Sequence, residues 1–256
     1  MPIYTDQMKR SIHIPAYPQR IVSLVPSQTE LLVDLGLEDR IVGVTKFCVH
    51  PQGLKKQKTI IGGTKNFHFD KINALQPDLI IGNKEENYQE GIEFLEKKYP
   101  VWMSDIYTLE DALEMMRGIG KITGTTVQAD ILINEIFQGM AALAPQNKGT
   151  AVYLIWKDPV MAAGTQTFIH DMLGRAGFTN LVQEPRYPEL SLEDLKTLSP
   201  DFLLLSSEPF PFKQKHIDEF AAHLPQTHVQ LVDGEMFSWY GSRLRYFVDY
   251  VVNRVV

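Results

Sequence analysis

From residue 20 onward, short runs of β-branched and aliphatic residues alternate with stretches whose apolar positions recur every three or four residues. Residues 20–25 are a near-continuous apolar run, the pattern of a strand buried on both faces, and Pro26 stops it. Ser27 followed by Glu30 has the spacing of a capping box, and Leu31, Leu32 and Leu35 give the next helix its apolar side before Gly36 ends it. Strands are predicted at 41–45, 79–81, 101–103, 150–156 and 202–205, with a helix at 167–175 closing on Gly177. Buried strands with helices between neighbours predict parallel sheets covered on both faces.

The chain carries an internal repeat. Residues 69–81 match residues 192–204 position by position: Pro77 and Pro200, and likewise Asp70 and Glu193, stand the same 123 residues apart. In both copies apolar residues fall three apart (Phe69, Ile72, Leu75; Leu192, Leu195, Leu198) before a Pro-Asp pair feeds a strand. One side of a short helix is buried in each copy, so the chain reads as two similar α/β lobes.

Between the lobes the pattern is helical. Thr108 and Asp111 are spaced as an N-cap pair, and the helix they open runs toward Gly118 and Gly120. After Gly124, Thr125 or Thr126 caps a second helix reaching about Ala144, with Ile131, Leu132, Ile136, Met140 and Leu143 as its apolar stripe. A helix of roughly twenty residues spans about 30 Å, the diameter of a small domain, and suits a rigid strut. The expected organisation is an N-terminal α/β lobe at 1–107, a helical region at 108–148 and a C-terminal α/β lobe at 149–256, ending in an amphipathic helix with Leu244, Phe247, Val248, Val251 and Val252.

Composition narrows the function class. The 256 residues are 44% hydrophobic and 22% charged, enough to bury about 70% of the unfolded surface without staples. Net charge is −6 with scattered Lys and Arg, which argues against nucleic acid. No run approaches the roughly 18 apolar residues of a membrane helix. Asp6, Lys9, Arg10 and three prolines interrupt any leader-like apolar segment near the start. As the sequence stands the expected compartment is the cytoplasm; a leader removed upstream would make it periplasmic or cell-surface.

Enzyme signatures are missing: there is no GxGxxG, no GxxxxGK[ST], no GxSxG and no HExxH. The lone Cys48 excludes an intrachain disulfide framework, and Cys48 with His50, two residues on, is either a metal-ligand pair or part of a polar loop. His68 and His170 read as surface or capping residues. Ligands of open parallel sheets bind beyond the carboxyl ends of the strands. The loops there hold Phe47, Phe67, Asn83, Tyr88, Trp156, Tyr187, Trp239 and Tyr240, interleaved with Lys46, Lys65, Lys84, Lys157, Arg186 and Arg243. Singly, each aromatic is as well explained by packing and each cation by solvation. Together they describe a wide cleft for a large, flat or anionic ligand, gripped by stacking and cation–π contacts.

The opening Thr5-Asp6-Gln7-Met8, the run Pro18-Gln19-Arg20-Ile21-Val22-Ser23-Leu24-Val25-Pro26-Ser27-Gln28-Thr29-Glu30 and the two Pro-Asp repeats resemble the helical-backbone substrate-binding proteins of ABC importers for cobalamin, ferric siderophores and haem. The resemblance covers nearly the whole chain. It implies two Rossmann-like parallel-sheet α/β lobes joined by a single long backbone helix, with a ligand cleft between them. It also implies an acidic residue on each lobe, Asp70 and Glu193 by motif position, docking onto arginines of the permease; Asp70 stands where Glu is usual. The cobalamin-binding members are closest in loop pattern. Phe47, Tyr187 and Trp156 fall at or near the positions that flank the corrin ring there, whereas Thr64 and Asn83 replace tryptophans.

These observations lead to a non-enzymatic receptor with no catalytic cofactor. Its expected ligand is cobalamin first, and haem or an Fe(III)-siderophore second. The expected ligand-binding residues are Lys46, Phe47, Lys65, Asn83, Lys84, Trp156, Arg186, Tyr187, Trp239 and Arg243, with Cys48 and His50 as a metal-ligand candidate pair. The expected partners are an ABC permease dimer and its ATPase, with the receptor itself a monomer that does not span the membrane. The competing class is an intracellular corrinoid- or metal-handling protein or enzyme that uses Cys48 and His50.

Overall fold

A computed structural model describes residues 2–143 and 147–255. The chain divides into two compact units: one holds residues up to Ile106, Glu110–Ile136 and Tyr240–Arg243; the other holds Tyr107–Leu109, Phe137–Trp239 and residues from Leu244 on.

The first unit opens with an antiparallel pair, β1 (Ile3–Thr5) and β2 (Ser11–His13). Its main sheet contains β3 (Ile21–Ser23), β4 (Ile41–Val44), β5 (Thr59–Ile60), β6 (Leu79–Asn83) and β7 (Val101–Ser104), all parallel, in the order β5-β4-β3-β6-β7. Helices α1 (Pro26–Asp34), α2 (Leu54–Gln57), α3 (Phe69–Leu75) and α4 (Gln89–Glu96) connect these strands. Val22, Leu24, Ile80, Val101 and Met103 pack with Ile72 of α3 and with Ile92 and Leu95 of α4.

Next come α5 (Leu109–Thr123) and α6 (Thr126–Ala142); the division between the units falls inside α6, after Ile136. Ala144, the expected end of this helix, lies outside the described residues. The expected stripe on α6 is partly wrong. Ala129, Leu132, Ile133 and Ile136 are buried, while Ile131 is exposed, because the packed side follows Leu132 at i+1 and i+4 rather than Ile131.

The second unit contains β8 (Gly149–Trp156), β9 (Met161–Ala162), β10 (Phe178–Asn180), β11 (Phe202–Ser206) and β12 (His228–Val232). They run in the order β10-β8-β11-β12, with β9 antiparallel beside β8. Helices α7 (Phe168–Arg175), α8 (Leu192–Leu198), α9 (Gln214–His223), α10 (Gly234–Ser238) and α11 (Phe247–Arg254) accompany them. Val152, Leu154, Leu203 and Leu205 pack with Leu195, Phe220 and Leu224.

The internal repeat is structural. α3 and β6 in one unit correspond to α8 and β11 in the other at the offset read from the sequence. Both helices end on a left-handed residue that is not glycine, Gln76 (φ 44°, ψ 59°) and Ser199 (φ 44°, ψ 57°). The Pro-Asp aspartates have the same task. Asp78 accepts the Gln19 and Arg20 N–H groups at 2.8 Å each, and Asp201 accepts the Thr150 N–H and hydroxyl at 2.7 Å each. Each carboxylate therefore ties the entry of the central strand, β3 or β8, to its repeat-derived neighbour, and these bonds hold the Asp201 carboxyl below the usual range. In each sheet the connections reverse direction at this pair, β3 with β6 and β8 with β11, so the carboxyl ends there form a switch point where ligands of such sheets bind.

The predicted capping box at Ser27 is not formed. Helix α1 begins at Pro26, whose fixed φ and missing N–H suit the first helical position, so Ser27 lies inside the first turn and Glu30 is released for another partner. A cap forms instead at Thr167, before α7: its hydroxyl accepts the His170 N–H at 3.1 Å.

Candidate functional site

In the first unit the carboxyl ends of β3, β6 and β7 rest on a buried polar floor. Gln28 Nε2 donates to Ser104 Oγ at 2.5 Å, and Asn83 Nδ2 donates to the same oxygen at 3.0 Å. Asn83 was expected to face ligand. It is 1% exposed, and its Oδ1 accepts the Glu85 and Glu86 N–H groups at 2.8 and 3.1 Å, so it shapes the loop after β6 instead. Lys84 pairs with Asp105 at 2.6 Å, and Lys65 Nζ donates to the carbonyls of Glu85 and Asn87, bridging two loops. Phe67 and Tyr88 stack on each other at 4.8 Å, and Phe67 belongs to the core.

Lys46 and Phe47 differ from these: both are exposed, Phe47 by 49%. The Lys46 ammonium lies 4.9 Å from the centre of the Phe47 ring, and the Lys46 N–H donates to the Gly62 carbonyl at 2.8 Å. A Cβ on Gly63 would stand 2.4 Å from Asn66 Oδ1 and 3.3 Å from the Phe47 ring, so the bare glycine lets the two loops meet. Just beyond, Cys48 is 1% exposed, its Sγ 3.2 Å from Thr29 Oγ1 and 3.3 Å from Thr45 Oγ1, and burial pushes the thiol pKa up. A thiol held protonated among hydroxyls is a poor metal ligand. His50 is partly buried, and among the described residues no three His, Cys, Asp or Glu side chains group as a metal site. Arg243 is occupied by Glu30, which it meets through two bonds of 2.9 and 2.7 Å. Burial raises the Glu30 pKa and the guanidinium opposes that rise.

In the second unit two clusters lie beyond the strand ends. Arg186 adopts φ 68° and its guanidinium lies 5.5 Å from the Tyr187 ring and 5.9 Å from the Tyr107 ring, a cation between two aromatic faces. The Arg186 N–H donates to the Thr165 carbonyl at 2.7 Å, and its own carbonyl accepts the Gly164 N–H at 2.8 Å. An added Cβ at Gly164 would lie 1.9 Å from the Glu184 oxygen, so only glycine permits this close pairing of backbones. Tyr107 is anchored through the Leu109 N–H, which donates to Asp171 at 2.8 Å, while Asp171 also pairs with Arg175.

The other cluster is built on Trp156, 39% exposed, whose indole N–H donates to the Asp158 carbonyl at 3.1 Å. Phe210 meets it edge-on at 5.6 Å. Trp239 was expected beside it as a ligand contact. It is 7% exposed and its N–H donates to Glu208 at 2.8 Å, so it serves the interior. Burial raises the Glu208 pKa, and the bonds from Trp239 and Ser238 counter it.

Among the expected ligand residues, the second unit therefore brings Arg186 and Tyr187 together and leaves Trp156 open, while the first unit leaves Lys46 and Phe47 open. Sequence reading missed Tyr107 and Phe210. Tyr107 lies three residues past the carboxyl end of β7, a position that signals a loop aromatic; Phe210 follows Pro209 in an ordinary-looking turn.

Residues 21–229 match the family model described as Periplasmic binding protein. An uncharacterized ABC transporter substrate-binding lipoprotein of Bacillus subtilis, YvrC, is 24% identical over 78% of this chain and 67% of its own length. A vitamin B12-binding protein of Pectobacterium carotovorum is 24% identical over 90% of this chain and 85% of its own. The solved periplasmic heme-binding protein RhuT of Roseiflexus superposes with a TM-score of 0.80 at 21% identity, covering 91% of this chain and 97% of that one. The matched family consists of binding proteins, in line with the non-enzymatic receptor expected from the sequence. The chain belongs to the periplasmic binding protein family and is a substrate-binding protein of the ABC-transporter type.

Proposed function

We propose that the protein captures a metal-bearing macrocycle or chelate, cobalamin in the first instance and haem or a ferric siderophore in the second, and delivers it to an ABC permease outside the cytoplasmic membrane. The observation that carries this reading is the Tyr107–Arg186–Tyr187 stack, an oriented cation with two aromatic faces at the carboxyl end of a parallel sheet. Such a group suits a ligand with a π-face and carboxylate arms, because stacking takes the ring and the guanidinium, one of whose nitrogens already donates to the Gln166 carbonyl at 2.9 Å, supplies positive charge for the anion. Lys46 over Phe47 offers the same combination in the first unit. The B12- and heme-binding relatives support the ligand class. Among the described residues no helix is long and apolar enough to cross a membrane, in keeping with a separate permease.

Replacing Arg186 with Gln separates the two leading ligands. Affinity for haemin, which carries two propionates, falls about tenfold or more, as expected for loss of a charge-assisted bond. Affinity for cyanocobalamin, which has no free carboxylate, changes much less. Equal affinity of the variant and the parent for haemin would remove the anionic-chelate reading.

A further inference from the structure

His216 takes no part in the ligand-facing loops, yet its side chain is buried at the start of α9, 5% exposed. Its Nδ1 accepts the Lys213 N–H at 2.9 Å. A ring nitrogen that accepts carries no proton, so this bond exists only for the neutral imidazole. The ring packs against Phe210 at 5.4 Å and Phe212 at 5.5 Å, and Phe210 in turn meets the Trp156 indole at 5.6 Å. The Phe210 N–H donates to the Ile155 carbonyl at 3.3 Å. One turn along α9, Glu219 pairs with Lys157 at 3.0 Å. The residues on either side of Trp156 in the chain are thus tied to α9 and the turn before it.

We propose that His216 is a positioning residue for Trp156: its neutral ring wedges Phe210 against the indole, and protonation frees the indole and weakens ligand binding. The second half rests on the reading of Trp156 as a ligand-facing surface; release of the indole requires no ligand. Proton uptake costs the Lys213 bond and places a charge on a ring that is almost wholly buried. Lys213 before the helix, Lys215 on it and Lys157 from the turn after β8 oppose the added charge, and Glu219 on the same helix favours it. Burial first, then these lysines, holds the His216 pKa below the ordinary histidine value. The sign follows: the wedge is intact at neutral pH and is lost on acidification past the ordinary histidine range.

The test uses full-length protein labelled with 5-fluorotryptophan and no ligand. The Trp156 fluorine resonance, assigned by its loss in Trp156→Phe, shifts or broadens between about pH 7.5 and about pH 4.5, with a midpoint matching the His216 ring protons, while Trp102 stays fixed. His216→Asn keeps a neutral acceptor that cannot titrate, and it abolishes the transition. A Trp156 signal that is stationary across this range in the folded parent overturns the proposal, and so does the same transition in His216→Asn. If that variant does not fold, Phe210→Leu replaces it and uncouples the two midpoints; midpoints still coincident overturn the relay. Haemin affinity then falls roughly threefold to tenfold over the same range in the parent and not in His216→Asn. A fluorine transition without this change in affinity would sink the ligand role of Trp156 and leave the wedge standing.

Discussion

Arg186 and Lys46 carry the same chemistry by different local means. Arg186 is held by backbone bonds on both sides at a left-handed φ, and its charge is flanked by two tyrosines. Lys46 is exposed; its peptide N–H is bonded to Gly62, and its ammonium, on a four-carbon stem with free torsions, lies over the Phe47 ring. A preorganised residue gives up less freedom on binding, so on the proposed reading Arg186 is expected to matter more for affinity than Lys46. Replacing Tyr187 with Ala is expected to weaken chelate binding more than tenfold, because a stacked ring is worth about 0.5–1.5 kcal/mol on top of its buried area. A fluorescence titration with unchanged affinity would contradict that placement. The residue types in this site were readable from the sequence; their partners were not. Arg243 finds Glu30 across 213 positions, and no local pattern announces such a pairing. Trp239 and Asn83 read as exposed loop residues, yet they stand at the ends of α10 and β6, each turned inward to buried groups that need its hydrogen bonds, Glu208 and Ser104.

Elements were more legible than their ends. The repeated helix and Pro-Asp strand follow directly from apolar spacing, and the recurrence of φ 44° at Gln76 and Ser199 shows the two copies keeping even their turn geometry. The failure at Ser27 has a simple cause: proline is read as a strand stop but is equally a helix start, and here it is the start. The same repeat places Asp70 and Glu193 as the second residues of α3 and α8, both exposed, with Glu193 paired to Lys196 at 2.7 Å one turn on. An acid there favours its helix N-terminus and leaves the carboxylate open to a basic partner. Changing Asp70 and Glu193 together to Arg is expected to leave chelate affinity intact while abolishing permease-dependent uptake in vesicles. Uptake at the parental rate would reject the docking role.

For the whole molecule, the family match and the two switch-point sheets agree on a substrate-binding receptor. The side chains proposed to select a ligand are Lys46 and Phe47 in one unit and Tyr107, Trp156, Arg186 and Tyr187 in the other. The most direct measurement is calorimetric titration of the full-length protein with cyanocobalamin, haemin and a ferric catecholate siderophore in parallel. Saturable binding of at least one of them in the micromolar range or tighter, about −8 kcal/mol or better, is the predicted result. Failure of all three to saturate would contradict the assignment of a flat metal-bearing ligand.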